Sequence, residues 1–434
     1  MTLLEPISSI HLKNGLEIKL KEIHTAPLIS SWTWYRIGSR DEIPGKTGIS
    51  HWVEHLQFKG TERFPADQLE KAVSRTGGTW NAFTYLDWTT YLETMPADKI
   101  DLALELEADR MVNSTFDPDE VESERTVVIS ERKGRENDPG FKLSEALRQA
   151  AFRIHPYHHE IIGDMADLNT ITRDDLFAHY QTYYAPNNAV VAIAGDFDKN
   201  EILKKLKGLY EDIPSRDKPP RLTRPEPESR GEIQLTVEGP GETIIGDVAY
   251  HIPAASHPDF FPLLLLDSIL SGPQGLNMFG GGGISNKTSR LYNRMVEEKE
   301  VVVDVHGGLP ATIDPYLFSI NFIVHPSSTT EAALKIMDEE IQRLQDTAPE
   351  QLELERAAKQ TRALFAYGGE SITNQAFWMG FSEMFASYDW VTGYLDHLEA
   401  VTPADVQRVA QQYLQPKNRI VGIYHPHKTG NNYQ

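Results

Sequence analysis

Near the amino terminus apolar and polar positions alternate: Leu16, Ile18 and Leu20 do so, and Leu28 to Ile37 carries Trp32, Trp34 and Tyr35. A period of two predicts two strands. After a loop holding Pro44, Gly45 and Gly48, the apolar residues Ile49, Val53, Leu56 and Phe58 predict an embedded helix over 48–58. Pro65-Ala66-Asp67 opens another helix that ends at Gly77-Gly78. Thr79 to Met95, rich in Thr and aromatics, reads as a hairpin, and Ile100 to Met111 as an amphipathic helix. Asp117-Pro118-Asp119-Glu120 combines a capping Asp with Pro at the first helical position, so a helix starts there and runs through Val127, Val128 and Ile129 to about Gly134. Ile171 to Tyr184 forms a further helix, Pro186-Asn187-Asn188 turns, and Ala189 to Ala194 is a strand.

The pattern then repeats. Thr172, Asp175, Tyr183, Pro186, Asn188 and Ile193 match Thr402, Asp405, Tyr413, Pro416, Asn418 and Ile423 at one constant offset, and Gly48 to Gly60 falls on Leu263 to Gly275 at a slightly smaller one. Ile213 to Gly231, with Pro214, Pro219, Pro220, Pro225 and Pro227, reads as a linker. The expected organisation is a duplicated domain: 1–212, a linker over 213–231, and 232–434. The expected fold is α+β, each half an antiparallel sheet with helices packed on one face.

Chemistry concentrates in the first copy. In His51-Trp52-Val53-Glu54-His55 the two imidazoles and the carboxylate lie three and four residues apart, hence on one helix face. Two imidazoles one turn apart can share one Zn²⁺, and a carboxylate beside a metal-held water can take its proton. A plain helix whose ionisable groups face solvent or satisfy one another has the same spacing. The apolar flanks favour the metal, because embedded ionisable groups need a partner. On the helix after Asp117, Glu124 and Glu131 share a face, with Val127 and Val128 between them; Glu120, Glu122 and Glu136 read as solvated. In the second copy Leu266, Ile269 and Leu270 stand at the positions of His51, Glu54 and His55, and Arg362 falls on or near that of Glu131. One metal per chain follows.

Length and composition narrow the rest. A chain of 434 residues exceeds one ordinary core. A net charge of −21 argues against nucleic-acid binding. The absence of cysteine leaves only His and carboxylate as metal ligands. Met1 to Gly15 shows no secretory pattern, and the best apolar run, Phe260 to Leu270, is of buried-helix length, so no membrane span is expected and a cytoplasmic location is the default. Gly280 to Gly283 fails the phosphate-loop pattern and reads as a flexible loop, with substrate gating a weaker alternative. His155, His158 and His159 could form a second metal site but read better as loop residues.

These residues together resemble the M16 peptidase family, the inverted zincins that include pitrilysin and the mitochondrial processing peptidases. The resemblance covers essentially the whole chain, and the length is similar to that of the branch in which two chains close around a chamber. It implies a zinc metalloendopeptidase acting on peptides or small unfolded polypeptides, with His51, His55 and Glu131 as zinc ligands, Glu54 as general base and Glu124 as a supporting carboxylate. Gly77-Gly78-Thr79-Trp80-Asn81-Ala82 resembles the segment that pairs with extended substrate, which makes Asn81, Ala82 and Phe83 candidate substrate contacts. Long members of the family carry an Arg and a Tyr seven apart in the second half. Here Glu297 and Val301 stand seven beyond Arg290 and Arg294. The resemblance therefore implies a homodimer or a heterodimer in which a related subunit supplies that pair. A non-catalytic core subunit or a peptide-binding protein of the same fold is the alternative.

Overall fold

The computed structural model describes residues 7–276 and 285–427. Gly280 to Gly283 lie outside the described residues. Contacts divide the chain into two compact units, one made from the described parts of Met1–Arg132, His159–Arg224 and Gly369–Val391, the other from those of Lys133–His158, Pro225–Gly368 and Thr392–Gln434.

The first unit is built on a sheet of β1 (Ser8–His11), β2 (Glu17–Glu22), β3 (Leu28–Tyr35), β4 (Thr79–Thr84), β5 (Thr89–Pro96) and β6 (Ala189–Gly195), in the order β1-β2-β6-β3-β5-β4. All neighbours run antiparallel except β2 and β6. The second unit holds β7 (Ile233–Pro240), β8 (Ile245–Ile252), β9 (Val302–Gly308), β10 (Tyr316–Val324) and β11 (Arg419–His427), in the order β7-β11-β8-β10-β9, with β7 and β11 parallel. From β2 to β4 and from β7 to β9 the two sheets follow the same order with the parallel pair in the same place. The duplication is also visible at single residues. Thr172 and Thr402 each close a capping box with Asp175 and Asp405, and Asn188 and Asn418 each donate to the carbonyl of a tyrosine five residues back at 2.9 Å.

Five helices of the first half are α1 (Ile49–Leu56), α2 (Ala66–Arg75), α3 (Ile100–Asn113), α4 (Pro118–Arg135) and α5 (Pro139–Ala151). The face of the first sheet that carries Tyr91 and Glu93 meets α1 and α3: Phe58, just past α1, lies 6.3 Å from the Tyr91 ring, and Arg110 of α3 reaches Glu93 and Glu107 beneath that face. The opposite face carries Trp32 and Trp34, which stack at 5.5 Å and pack on Phe377 and Phe381 of the Ile372–Phe385 helix. A Cβ at Gly380 would stand 2.0 Å from the Trp34 ring nitrogen, so glycine is what lets that helix approach. In the second unit α5 covers the matching face of β7, β8 and β11. A single cut at 213–231 would separate both helices from the sheets they cover: α5 sits in the second unit and the Ile372–Phe385 helix in the first.

Candidate metal centre

Helix α1 is fixed at its start. Gly48 has φ of 86°, and a Cβ there would meet the Ile162 carbonyl at 2.4 Å. The buried Glu42 carboxylate accepts from the Gly48 and Ser50 backbone N–H groups, each at 2.8 Å, and neutralises the positive end of the helix. His159 Nε2 lies 3.0 Å from the same carboxylate. Ser50 Oγ lies 3.3 Å from His179 Nε2, and burial pushes that imidazole down to about 3. Trp52, Val53 and Leu56 anchor the helix in the core, leaving His51, Glu54 and His55 on the other side.

Helix α4 starts where the Asp117 carboxylate accepts from the Asp119 N–H at 2.9 Å. Arg125 holds its middle, donating to the Leu168 and Ile171 carbonyls at 2.6 and 2.8 Å, with its guanidinium 4.6 Å from the Trp52 ring centre. Val121, Glu124 and Val128 are buried, whereas Val127 is 47% exposed. The apolar residue shared with the Glu124–Glu131 face is therefore Val128, and Val127 turns outward. The helix is narrow enough in its buried stripe that one of two adjacent valines must leave it.

The two helices bring their side chains together. His51 Nε2 and His55 Nε2 lie 3.7 and 3.8 Å from the same Glu131 oxygen, and one donor atom from each of the three residues falls within 4.8 Å of the others. Two donors about 2.05 Å from one tetrahedral ion stand roughly 3.3 Å apart, so small side-chain rotations would close this triad on zinc. Among the described residues no other trio of His, Asp or Glu is so arranged. The remaining nitrogen of His55, Nδ1, lies 2.8 Å from Glu124, the outer partner that fixes tautomer and ring orientation in metal-binding histidines. Lys59 Nζ approaches the other Glu124 oxygen at 2.6 Å. Burial opposes the charged form of Glu124, but the hydrogen bonds from His55 and Lys59 outweigh it and hold the carboxyl below its ordinary range. Burial is the largest effect on His55 and opposes its charge, but the Glu124 bond together with the charges of Glu54, Glu124 and Glu131 outweighs it, so that imidazole is raised.

Glu54 projects beside the triad and is 8% exposed. Burial pushes its carboxyl above the usual range, against a hydrogen bond from the Thr84 hydroxyl at 2.8 Å. Thr84 ends β4, the outermost strand of its sheet, on which Asn81 is exposed, Ala82 buried and Phe83 half-buried. Asn81 also turns its side-chain oxygen onto the Ala82 N–H at 2.9 Å. Sequence reasoning missed Glu42, Lys59, Thr84 and Arg125, since none stands at a diagnostic spacing from the motif. His155 lies 2.9 Å from Asp314, so it and His159 serve carboxylates in separate places.

Among the described residues the second copy has no such centre. Leu266, Ile269 and Leu270 are core residues of the Phe260–Leu270 helix. Matching α4 end to end with the Gln351–Gly368 helix sets Glu131 on Leu364 and Glu124 on Ala357, both buried. Arg362, two residues before Leu364 in that alignment, pairs instead with Glu399. Arg290 is held by both oxygens of Glu353 at 2.8 and 2.6 Å, and Arg294 by Glu340 at 3.1 Å. Among the described residues no helix is long and apolar enough to cross a membrane.

A family model described as insulinase (peptidase family M16) matches residues 18–165, and one described as the peptidase M16 inactive domain matches 170–361. The zinc protease PqqE of Helicobacter pylori is 29% identical, over 93% of this chain and 89% of that protein. A probable mitochondrial-processing peptidase subunit beta of Arabidopsis thaliana is 26% identical, over 96% of this chain and 77% of that one. The crystal structure of a protease from Helicobacter pylori superposes with a TM-score of 0.90 at 28% identity, covering 97% of this chain and 99% of that one. A chain of complex III2 from Candida albicans shares the fold, with a TM-score of 0.80 at 15% identity over 96% of each chain. With both halves matched by models of one family and the whole chain aligned to its proteases, the protein belongs to the M16 peptidase family.

Proposed function

We propose that the chain is a zinc metalloendopeptidase acting on extended peptides. The observation that carries this reading is the meeting of His51, His55 and Glu131 from two separate helices beside the buried carboxylate of Glu54. A zinc ion held there would supply Lewis acidity toward a water and a scissile carbonyl. Glu54 takes the proton of the attacking water and returns it to the departing amine nitrogen. Burial raises its affinity for a proton, which strengthens it as the base that accepts from the attacking water. Peptide adds as a strand along β4 near Asn81, Ala82 and Phe83, where backbone pairing is blind to sequence and side-chain pockets set preference. Names of relatives as zinc proteases support the choice of metal. A non-catalytic role gives no reason for four such side chains to converge.

Glu54→Gln should keep zinc and lower kcat by about 10²- to 10⁴-fold, measured by metal analysis and cleavage of a quenched fluorescent peptide. Normal turnover by that variant would remove Glu54 from its role. Because Arg290 and Arg294 are already engaged by carboxylates, we further propose that a second chain, identical or related, completes the substrate site with an Arg and a Tyr. Native mass spectrometry alongside the same assay checks this: full activity in a lone monomer overturns it.

A further inference from the structure

The residue that holds the base also ends the substrate strand. Thr84 Oγ1 donates to Glu54 Oε2 at 2.8 Å. Its own backbone is fixed by pairing with Thr89, whose hydroxyl in turn donates to the Ile37 carbonyl at 2.9 Å. A glutamate side chain turns about several bonds, and keeping it in one orientation costs rotamer entropy unless a partner locks it. The Thr84 hydroxyl is such a partner, mounted on the rim of the sheet rather than on the helix that bears Glu54. We propose that Thr84 is a positioning residue, whose hydroxyl sets the Glu54 carboxylate in the orientation that accepts the proton. Peptide pairing along β4 would then align the scissile bond on the same strand that aligns the base. The inference rests on Glu54 being that base.

Valine matches threonine in shape and lacks only the hydroxyl, whereas serine keeps the hydroxyl and loses a methyl. In the zinc-loaded protein, in whichever assembly turns over a quenched fluorescent peptide, Thr84→Val should lower kcat by about 10- to 100-fold with KM and zinc content unchanged. Thr84→Ser should stay within about threefold of the parent. In a Glu54→Gln background, Thr84→Val should cost nothing further, because groups that act as a unit are non-additive. The proposal is overturned if Thr84→Val keeps the parent kcat, if a folded Thr84→Ser is as slow as Thr84→Val, or if the valine costs as much with Gln at 54 as with Glu. Should Glu54→Gln itself cleave normally, the base assignment falls and this inference with it. A dead Glu54→Gln beside an unimpaired Thr84→Val sinks the positioning role alone.

Discussion

Carboxylates in this protein take opposite characters from their surroundings. Glu124 accepts from His55 and Lys59 and is held below its ordinary range, while Asp267, fully buried in the Phe260–Leu270 helix, has mainly the Ser271 hydroxyl and is pushed by burial from 3.8 to about 7. Asp267 stands in the second copy, on a helix that carries none of the candidate zinc ligands, so its titration can be followed apart from that site. Between those two values the folded chain keeps a proton on Asp267 that the unfolded chain has released. Its contribution to stability is thus whole below about pH 3.8 and is lost as pH rises toward 7, at up to ~1.4 kcal/mol per pH unit. Asp267→Asn has no such proton to lose. Denaturant unfolding from about pH 5 to pH 8 should show the parent losing stability relative to the variant. Parallel profiles would mean that Asp267 ionises as freely folded as unfolded.

At the scale of elements, the local grammar of the chain was legible. Alternation located β2 and β3, the Asp117-Pro118 start located α4, and apolar spacing with the histidines located α1. The candidate site could be read because His51 and His55, and likewise Glu124 and Glu131, sit at helical spacing on single helices, and the repeat named the copy that lacks their counterparts. Relations between elements left weaker marks. Glu42 caps α1 from across a loop, and the cap works only because Gly48 can take a positive φ against the Ile162 carbonyl; no short spacing records that three-part arrangement. Thr84 is thirty residues from Glu54, and its place in a hairpin says nothing of where its hydroxyl ends. Val127 and Val128 look equivalent between Glu124 and Glu131, and only packing sends one inward and the other out. Periodicity tells that a face is buried. It does not tell against what.

The same limit applies most strongly to the whole molecule, where each half of the sequence supplies a helix to the other's unit. The exchange is symmetric, since α5 and the Ile372–Phe385 helix each follow a long helix of the same length in their half. The sequence pattern named neither helix, and each covers a sheet coded mostly by the other half. Trp32 and Trp34 would lose Phe377 and Phe381 in a fragment ending at the linker. At about 25 cal/mol per Å² of apolar surface, re-exposing faces of two indoles and the neighbouring sheet forfeits several kcal/mol, comparable to the roughly 5–15 kcal/mol that hold a whole domain. Fragment 1–212 alone should bind a hydrophobic dye and lack the near-UV circular dichroism of the full chain. Co-expressed with 232–434, which brings the Ile372–Phe385 helix and needs α5 in return, it should copurify and regain that signal. Cooperative unfolding of 1–212 by itself, with the full chain's tryptophan environment, would show that the exchanged helices are dispensable decoration. Copurification of both fragments with neither folding alone would instead place the unit of folding at the level of the duplicated pair, and would give the second copy a structural reason to be retained beside the one that holds the candidate metal centre.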